Sequence, residues 1–544
     1  MNHARLAWCV ALLLVAFGLV DSVSGDESSK PNIIVILADD LGYGDVRCLN
    51  PEGKIATPHL DRLASEGVAF TDAHSGSSVC TPTRYGLLTG RYAWRTKLQS
   101  SVLGGLSPRL IEPDRATLAT LLKEQGYNTG CVGKWHLGMN WKLLPGKGVN
   151  ELSIESPEQV HNVDYSAPIA DGPNAVGFDY YFGISASLDM VPFCFIENDR
   201  VTALPTGDVD FPLYLGRPEG KTRTGPGAPG FTTEGVLPEI TKKAVEYIDR
   251  SAEAARGGKP FFLYFPLNSP HTPVAPSKEW QGKSGLTYYA DFVMQTDDTV
   301  GRIMQALEKH GLRQDTLIVV TSDNGCSPQA NFPELKKLGH NPSSIYRGNK
   351  ADVYDGGHRV PFIVSWPAGA KTGATSDQLV CLTDVFATCA EIVGAKVADD
   401  AGEDSFSFLH ALAATPRAKD DTARKSIVHH SINGSFVVRD GRWKLAFCPD
   451  SGGWSNPRPG SAGVKELPPV QLFNMQDDPS ETQNVQADHA DVVERLTDLM
   501  ATLVDEGRST PGPKQRNAVV VDFQKPAQRA GKGVMKPNPM ANNR

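Results

Sequence analysis

Apolar residues gather along the chain in short unbroken runs that end in polar, reactive side chains. Residues 32–37 run into Ala38-Asp39-Asp40, and residues 127–133 run into Lys134-Trp135-His136. Residues 261–265 lead to Asn268-Ser269-Pro270-His271, and residues 316–321 lead to Ser322-Asp323-Asn324-Gly325. Runs of this length without alternation predict strands buried on both faces, as in a sheet covered by helices. Ligands of such sheets sit beyond the carboxyl ends of the strands, so polar groups arriving at four strand ends are candidates for one site.

A helical repeat fills the intervals. Thr57-Pro58 reads as an N-cap followed by proline at the first helical position, with Leu60, Leu63 and Ala64 on one face and Gly67 as a stop. Leu118, Leu121 and Leu122 repeat the pattern and Gly126 closes it; residues 233–255 and 286–311 read as longer helices. Strands alternating with helices predict an α/β architecture. From about 145 to 229 the periodicity fades and Pro, Gly and Asp become frequent. Long loops over the sheet edge are expected there, where specificity is commonly carried.

After about residue 425 a separate unit begins. Residues 436–445 read as a hairpin turning at Asp440-Gly441, followed by a helix with Val492, Val493, Leu496, Leu499 and Met500. The polar tail after 511 is expected to be disordered. The predicted boundaries are 1–25, 26–424, 425–510 and 511–544.

The 544 residues exceed what one small core accommodates. A net charge of −8 gives no general attraction for nucleic acid or anionic membranes, so an anionic substrate would need a local basic pocket. Residues 1–25 have the form of a secretory signal peptide. His3 and Arg5 precede an apolar stretch over 6–20, followed by Ser22, Ser24 and Gly25. The expectation is a secreted or periplasmic protein (lysosomal or extracellular in a eukaryote) with no membrane span after cleavage. The nine cysteines include Cys9 in that segment. The others are scattered, without Cys-x-x-Cys or zinc-like spacing, and no disulfide pairs are assigned.

Chemistry concentrates in a few places. Asp39-Asp40 and Asp323-Asn324 offer carboxylate and amide oxygens, hard donors suited to Ca²⁺ or Mg²⁺; either pair alone is also ordinary at a strand end or turn. Pro82, two residues after Cys80, suits the first turn of a helix, placing Cys80 near an N-terminus that favours an anion. Arg84 lies about one turn further on. Lys134 and His136 are two apart and point to one side if the strand continues through them. His271 stands between two prolines, and Lys350 follows Gly348-Asn349 ahead of Asp355-Gly356-Gly357-His358-Arg359. Their joint arrival at strand ends and glycine loops marks them more than any one residue does.

Cys80-Thr81-Pro82-Thr83-Arg84, with the downstream Leu87-Leu88-Thr89-Gly90-Arg91, resembles the signature of the type I sulfatases. Asp39-Asp40, the Cys80 run, Gly133-Lys134-Trp135-His136-Leu137-Gly138, Pro270-His271, Ser322-Asp323-Asn324-Gly325 and Gly348-Asn349-Lys350 occur in the order seen in arylsulfatase-like enzymes. The resemblance implies the alkaline-phosphatase-like fold: a large mixed sheet sandwiched by helices, with a smaller C-terminal antiparallel sheet plus helix. It implies that a maturation enzyme oxidises Cys80 to formylglycine, and that one Ca²⁺ is held by Asp39, Asp40, Asp323, Asn324 and the modified Cys80. It implies catalytic roles for Cys80, Arg84, Lys134, His136, His271 and Lys350. Lys134, His271 and Lys350 would hold the sulfate oxygens, either His271 or Lys350 would serve the leaving alcohol, and His136 would act as base. Thr81 and Thr83 depart from the smaller residues often found there, and Asp355 stands where Glu is common.

The implied substrate is a sulfate ester, with a sulfated carbohydrate favoured over an aryl or steroid sulfate. His161, Asp171, Asp189, Asn198 and Asp199, in the loop-rich stretch, are candidates to bind sugar hydroxyls. The competing readings are a phosphate or phosphonate ester hydrolase on the same fold, and a non-catalytic glycan binder if Cys80 remains a thiol.

Overall fold

The first apolar run forms a strand, β1 (Asn32–Asp39), in which every residue is buried. Ile33, Val35 and Leu37 pack into one hydrophobic core, while Ile34, Ile36 and Ala38 pack into another. A strand with a core on each face belongs in the middle of a helix-covered sheet, which is why its apolar run shows no alternation. The computed structural model describes residues 30–217, 219–413 and 423–524. The expected signal peptide lies outside the described residues.

Nine further strands complete this sheet: β2 (Val68–Phe70), β3 (Asn128–Lys134), β4 (Tyr180–Ile184), β5 (Ile196–Glu197), β6 (Arg200–Val201), β7 (Phe261–Pro270), β8 (Thr316–Ser322), β9 (Phe362–Ser365) and β10 (Ala374–Ser376). Their order is β10-β2-β9-β8-β1-β7-β3-β4-β5-β6. The central five, β8, β1, β7, β3 and β4, run parallel, and antiparallel pairs flank them. The helices α1 (Pro58–Ser65), α2 (Cys80–Thr89), α3 (Leu118–Glu124), α4 (Thr233–Arg256), α5 (Tyr288–Lys309) and α6 (Asp384–Ile392) cover the two faces. α1, α4 and α5 supply one core, and α2, α3 and α6 the other. The expected mixed sheet between helices is therefore present. One expectation needs correction: the stretch read as loops from 145 to 229 contains β4, a fifth parallel strand whose short aromatic run lies among irregular segments.

The second unit is a four-stranded antiparallel sheet of β11 (Ser426–His430), β12 (Phe436–Asp440), β13 (Trp443–Ala446) and β14 (Gln471–Asn474). Leu496, Met500 and Leu503 of α7 (Ala490–Asp505) are buried in the core beneath it. The tail expected to be disordered is laid against the body as far as 524. Arg91 donates to the Arg516 carbonyl (2.8 Å), Ala518 N–H donates to the Arg95 carbonyl (2.7 Å), and Phe523 packs edge-on against Phe447.

Buried ionic contacts fasten this sheet to the larger one. Lys444 on β13 meets Asp355 and Glu481, each at 2.7 Å, with the side chains 1%, 0% and 0% exposed. Beside them the His358 and His429 rings stack at 3.7 Å, and His74 Nδ1 lies 3.0 Å from His358 Nδ1. The cysteines of the described residues are free thiols. No helix among the described residues is long and apolar enough to cross a membrane.

Candidate active site

The carboxyl ends of β1, β8, β7 and β3 bring their polar residues together, as their shared layout predicts. β1 ends at Asp39, and Asp40 adopts a left-handed backbone with φ of +65°. Continued pleating would send adjacent side chains to opposite faces; the turn lets both carboxylates converge. Asp39, Asp40 and His271 offer ligand atoms within 4.8 Å of one another, as do Asp39, Cys80 and Asp323. The Asn324 amide nitrogen donates to Asp40 Oδ1 at 2.7 Å, which leaves its oxygen free. Asn324 Oδ1 and Asp39 Oδ1 are both buried without a hydrogen-bond partner among the described residues. Buried polar atoms are nearly always paired, so two orphaned oxygens in an oxygen-rich cluster fit a hard divalent cation.

Cys80 opens α2 and is 2% exposed. The N-cap residue Val79 has no capping side chain, so the first-turn N–H groups receive no help from it. Burial pushes the Cys80 thiol up, and Lys134 and Lys350 only partly oppose this. An unmodified thiol here is a poor nucleophile at neutral pH, because the thiolate is the reactive form. Arg84 is turned onto Asp323, donating through Nε (3.0 Å) and Nη2 (2.7 Å), and it also donates to the Lys134 carbonyl (2.9 Å). The guanidinium therefore fixes a carboxylate as well as adding positive charge beside Cys80.

Lys134 Nζ lies 2.6 Å from Asp39 Oδ2, and Lys350 Nζ lies 2.7 Å from Asp40 Oδ1. Burial works against the charged Asp39 carboxylate, but Lys134, His271, Arg84 and Lys350 outweigh it and hold that carboxyl well below its usual range. Asp323 is pushed up to about 6 by burial and by Asp39. Burial opposes the charged Lys350 ammonium too, yet Asp40 and its neighbours keep it firmly protonated. Three carboxylates face three cations in this group, so a divalent cation would leave about two positive charges in a buried space. That is the local basic pocket an anionic ester needs on a net-negative protein.

His136 sits differently from its expected place. β3 ends at Lys134, and His136 has a φ of +56°, so a turn and not the pleat brings it to the side of Lys134. Its Nε2 lies 2.8 Å from the Leu103 carbonyl, which makes Nε2 the protonated nitrogen and leaves Nδ1 as the acceptor. Nδ1 is buried without a partner. Burial, then Lys134 and Arg84, holds the imidazole well below its usual pKa, so it stays neutral with Nδ1 open to a proton. His271 Nδ1 faces the Thr272 carbonyl, and its Nε2 lies 3.7 Å from Asp40 and 3.4 Å from Ser187 Oγ.

Ser187 escaped the sequence reading. It accepts from Lys134 at 2.7 Å and touches His271, just beyond the end of β4. The neighbouring Ser185 carbonyl accepts from His136 N–H. The available signal was the run of tyrosine and phenylalanine at 180–182, which marks a strand end like the other four.

Three of the five proposed sugar contacts have side chains engaged locally. His161 is exposed and pairs with Asp208 (3.2 Å), and Asp171 accepts from Asn140 (2.7 Å). Asn198 forms the turn between β5 and β6 and accepts from Tyr181 N–H, while the exposed Asp199 accepts from Ile169 N–H through its carbonyl. Local turns and surface pairs use the His161, Asp171 and Asn198 side chains, whereas Asp199 is held through its backbone. Asp189 differs: it is half-buried, its Oδ1 has no partner among the described residues, and the next residue, Met190, belongs to the same apolar cluster as Cys80.

The family model described as Sulfatase matches residues 31–395. The chain belongs to the sulfatase family. It is 35% identical over 527 residues to the N-acetylgalactosamine-6-O-sulfatase of Bacteroides thetaiotaomicron, covering 91% of this chain and 97% of that protein. It is 31% identical to arylsulfatase A of Bos taurus, covering 88% and 86%. A solved structure described under the metabolism of multiple glycosaminoglycans by Bacteroides thetaiotaomicron superposes with a TM-score of 0.72 at 34% identity, covering 88% of this chain and 99% of that one. The sulfatase is accordingly a sulfuric ester hydrolase with the alkaline-phosphatase-like fold.

Proposed function

We propose that this sulfatase is an exported enzyme that removes sulfate from carbohydrate monoesters, using a formylglycine made from Cys80 and one bound Ca²⁺. The observation that carries the reading is Cys80 at the start of α2, within reach of an oxygen-rich donor cluster and two buried lysines. Asp39, Asp40, Asp323 and Asn324 would hold the calcium ion, which supplies Lewis-acid stabilisation of an oxygen nucleophile. Oxidation of Cys80 to an aldehyde, followed by addition of water, would supply that nucleophile as one hydroxyl of a geminal diol, the second hydroxyl carrying the proton later removed.

The remaining chemistry belongs to the chain itself. Lys134, His271 and Lys350 stand on the carboxylates of Asp39 and Asp40, where they would turn toward sulfate oxygens and favour the charge that develops on them. Ser187 orients Lys134 and His271. His271 Nε2 or Lys350 Nζ would donate to the departing sugar oxygen. His136 Nδ1 would accept the proton whose removal frees the sulfate, with the Leu103 carbonyl fixing its tautomer. A relative named as an N-acetylgalactosamine-6-O-sulfatase, and a structure described under the metabolism of multiple glycosaminoglycans, support a carbohydrate substrate and make N-acetylgalactosamine 6-sulfate the first probe.

The test combines mass analysis of the peptide containing residue 80 with sulfate release from a panel of sulfated mono- and oligosaccharides. Conversion of Cys80 and release from at least one sugar are expected; an intact thiol in fully active protein would sink the reading. Dialysis against EGTA should abolish activity and Ca²⁺ should restore it, with calorimetry showing one site that Asp323→Asn weakens. His136→Ala should lower turnover about 10²–10⁴-fold. Because its pKa is depressed, His136 remains a base until the pH falls through a value well below 6.5. The acid limb of kcat should therefore lie below pH 6.5, and a limb at or above that value would exclude a buried neutral His136 as the base.

A further inference from the structure

The second unit reaches the apolar cluster around Cys80 through the segment that joins β13 to β14. Trp454, in this segment, packs against the apolar cluster of Val79, Cys80, Met190 and Ala351. A single carboxylate sets its position. Asp352 accepts through Oδ1 from Trp454 N–H (2.7 Å) and Ser455 N–H (3.0 Å), and through Oδ2 from Asn349 N–H (2.9 Å). Asn349 adjoins Lys350, so the side chain that positions Trp454 also holds the loop carrying a proposed sulfate ligand. The two loops meet at Gly453, where a Cβ would lie 2.3 Å from the Ala351 carbonyl oxygen, so no larger residue permits the approach.

The indole itself is uncommitted. Trp135 and Trp141 donate their N–H groups to the Gly138 and Gly105 carbonyls and are buried. Trp454 is half-buried, and among the described residues its N–H has no acceptor and its ring stacks on no other ring. An aromatic ring with a free donor at its edge matches a pyranose, which has an apolar C–H face and a rim of hydroxyls. Asp189, unpaired and next to Met190 of the same cluster, adds an acceptor for such hydroxyls.

We infer that Trp454 is the platform on which the sugar ring bearing the sulfate rests, making the second unit a determinant of substrate specificity. The inference rests on the carbohydrate-sulfatase reading above. It is tested by steady-state hydrolysis of N-acetylgalactosamine 6-sulfate, or of whichever panel sugar the wild type desulfates, with inhibition by inorganic sulfate measured in parallel. Inorganic sulfate samples the sulfate pocket without the ring.

Trp454→Ala and Trp454→Leu should raise KM for the sugar about 10-fold or more while leaving the sulfate inhibition constant unchanged, and Trp454→Phe should stay within about 3-fold of the wild type. Trp454→Leu and Trp454→Phe keep the test available should the alanine variant fail to fold. An unchanged KM in the leucine variant would overturn the platform, and so would a parallel loss of sulfate inhibition, which marks a collapsed pocket. Wild-type protein that hydrolyses only aryl sulfates would overturn the carbohydrate reading itself.

Discussion

Replacing Cys80 with alanine should lower turnover by on the order of 10⁴-fold or more, the scale on which removal of a nucleophile is felt in hydrolases. Serine at the same place is the more instructive change. Its hydroxyl sits at the same α2 N-terminus, facing the same cations, so it should accept one sulfuryl group from substrate. A serine ester has a single oxygen on its β-carbon and can lose sulfate only by attack of water. Intact-mass analysis of Cys80→Ser after incubation with substrate should therefore show a stoichiometric sulfated protein with negligible turnover. Sustained multiple turnover by this variant would reject formylglycine chemistry, and full activity of Cys80→Ala would reject residue 80 as the nucleophile.

The largest effect on stability is expected at Lys444, remote from the chemistry. Its ammonium is the shared partner of Asp355 and Glu481, and all three side chains are almost wholly excluded from water. Asp355 retains Arg359 at 3.0 Å when the lysine is lost, but among the described residues Lys444 is the only cation paired with Glu481. Breaking such a buried pair from one side costs about 3–5 kcal/mol, because an uncompensated charge remains. Lys444→Met should show that loss in urea unfolding followed by tryptophan fluorescence, with the second sheet unfolding first. Adding Glu481→Gln should recover part of it, since removing both charges avoids the stranded carboxylate. A Lys444→Met protein within about 0.5 kcal/mol of the wild type would show that the contact between the two sheets does not depend on this pair.

The strands that carry the chemistry were legible because each is buried on both faces and so reads as an uninterrupted apolar run. The polar residues at the ends of those runs lie together for the same reason: a parallel sheet aligns its carboxyl ends. The loop-rich stretch from 145 to 229 was read less well. β4 lies within it, and with it Ser187, because a five-residue strand among turns leaves little periodic signal. His161, Asp171 and Asn198 were chosen for their polarity, but turns and surface pairs engage those side chains locally, and composition does not distinguish such uses.

By itself the sequence determined four of the five parallel strands and the longer helices, a helix start near Cys80, and a set of residue types that resembles that of the sulfatases. Those follow from local preferences and from spacing within one element. Only the tertiary structure decided that Asp40 and His136 turn out of their strands to meet their neighbours. It also decided that Ser187 bridges Lys134 and His271, that the His136 tautomer is set by the Leu103 carbonyl, and that the Trp454 segment reaches the Lys350 loop. Each of these depends on contacts between segments far apart in the chain. The folded backbone, not the identity of any one residue, sets their distances and makes them act together.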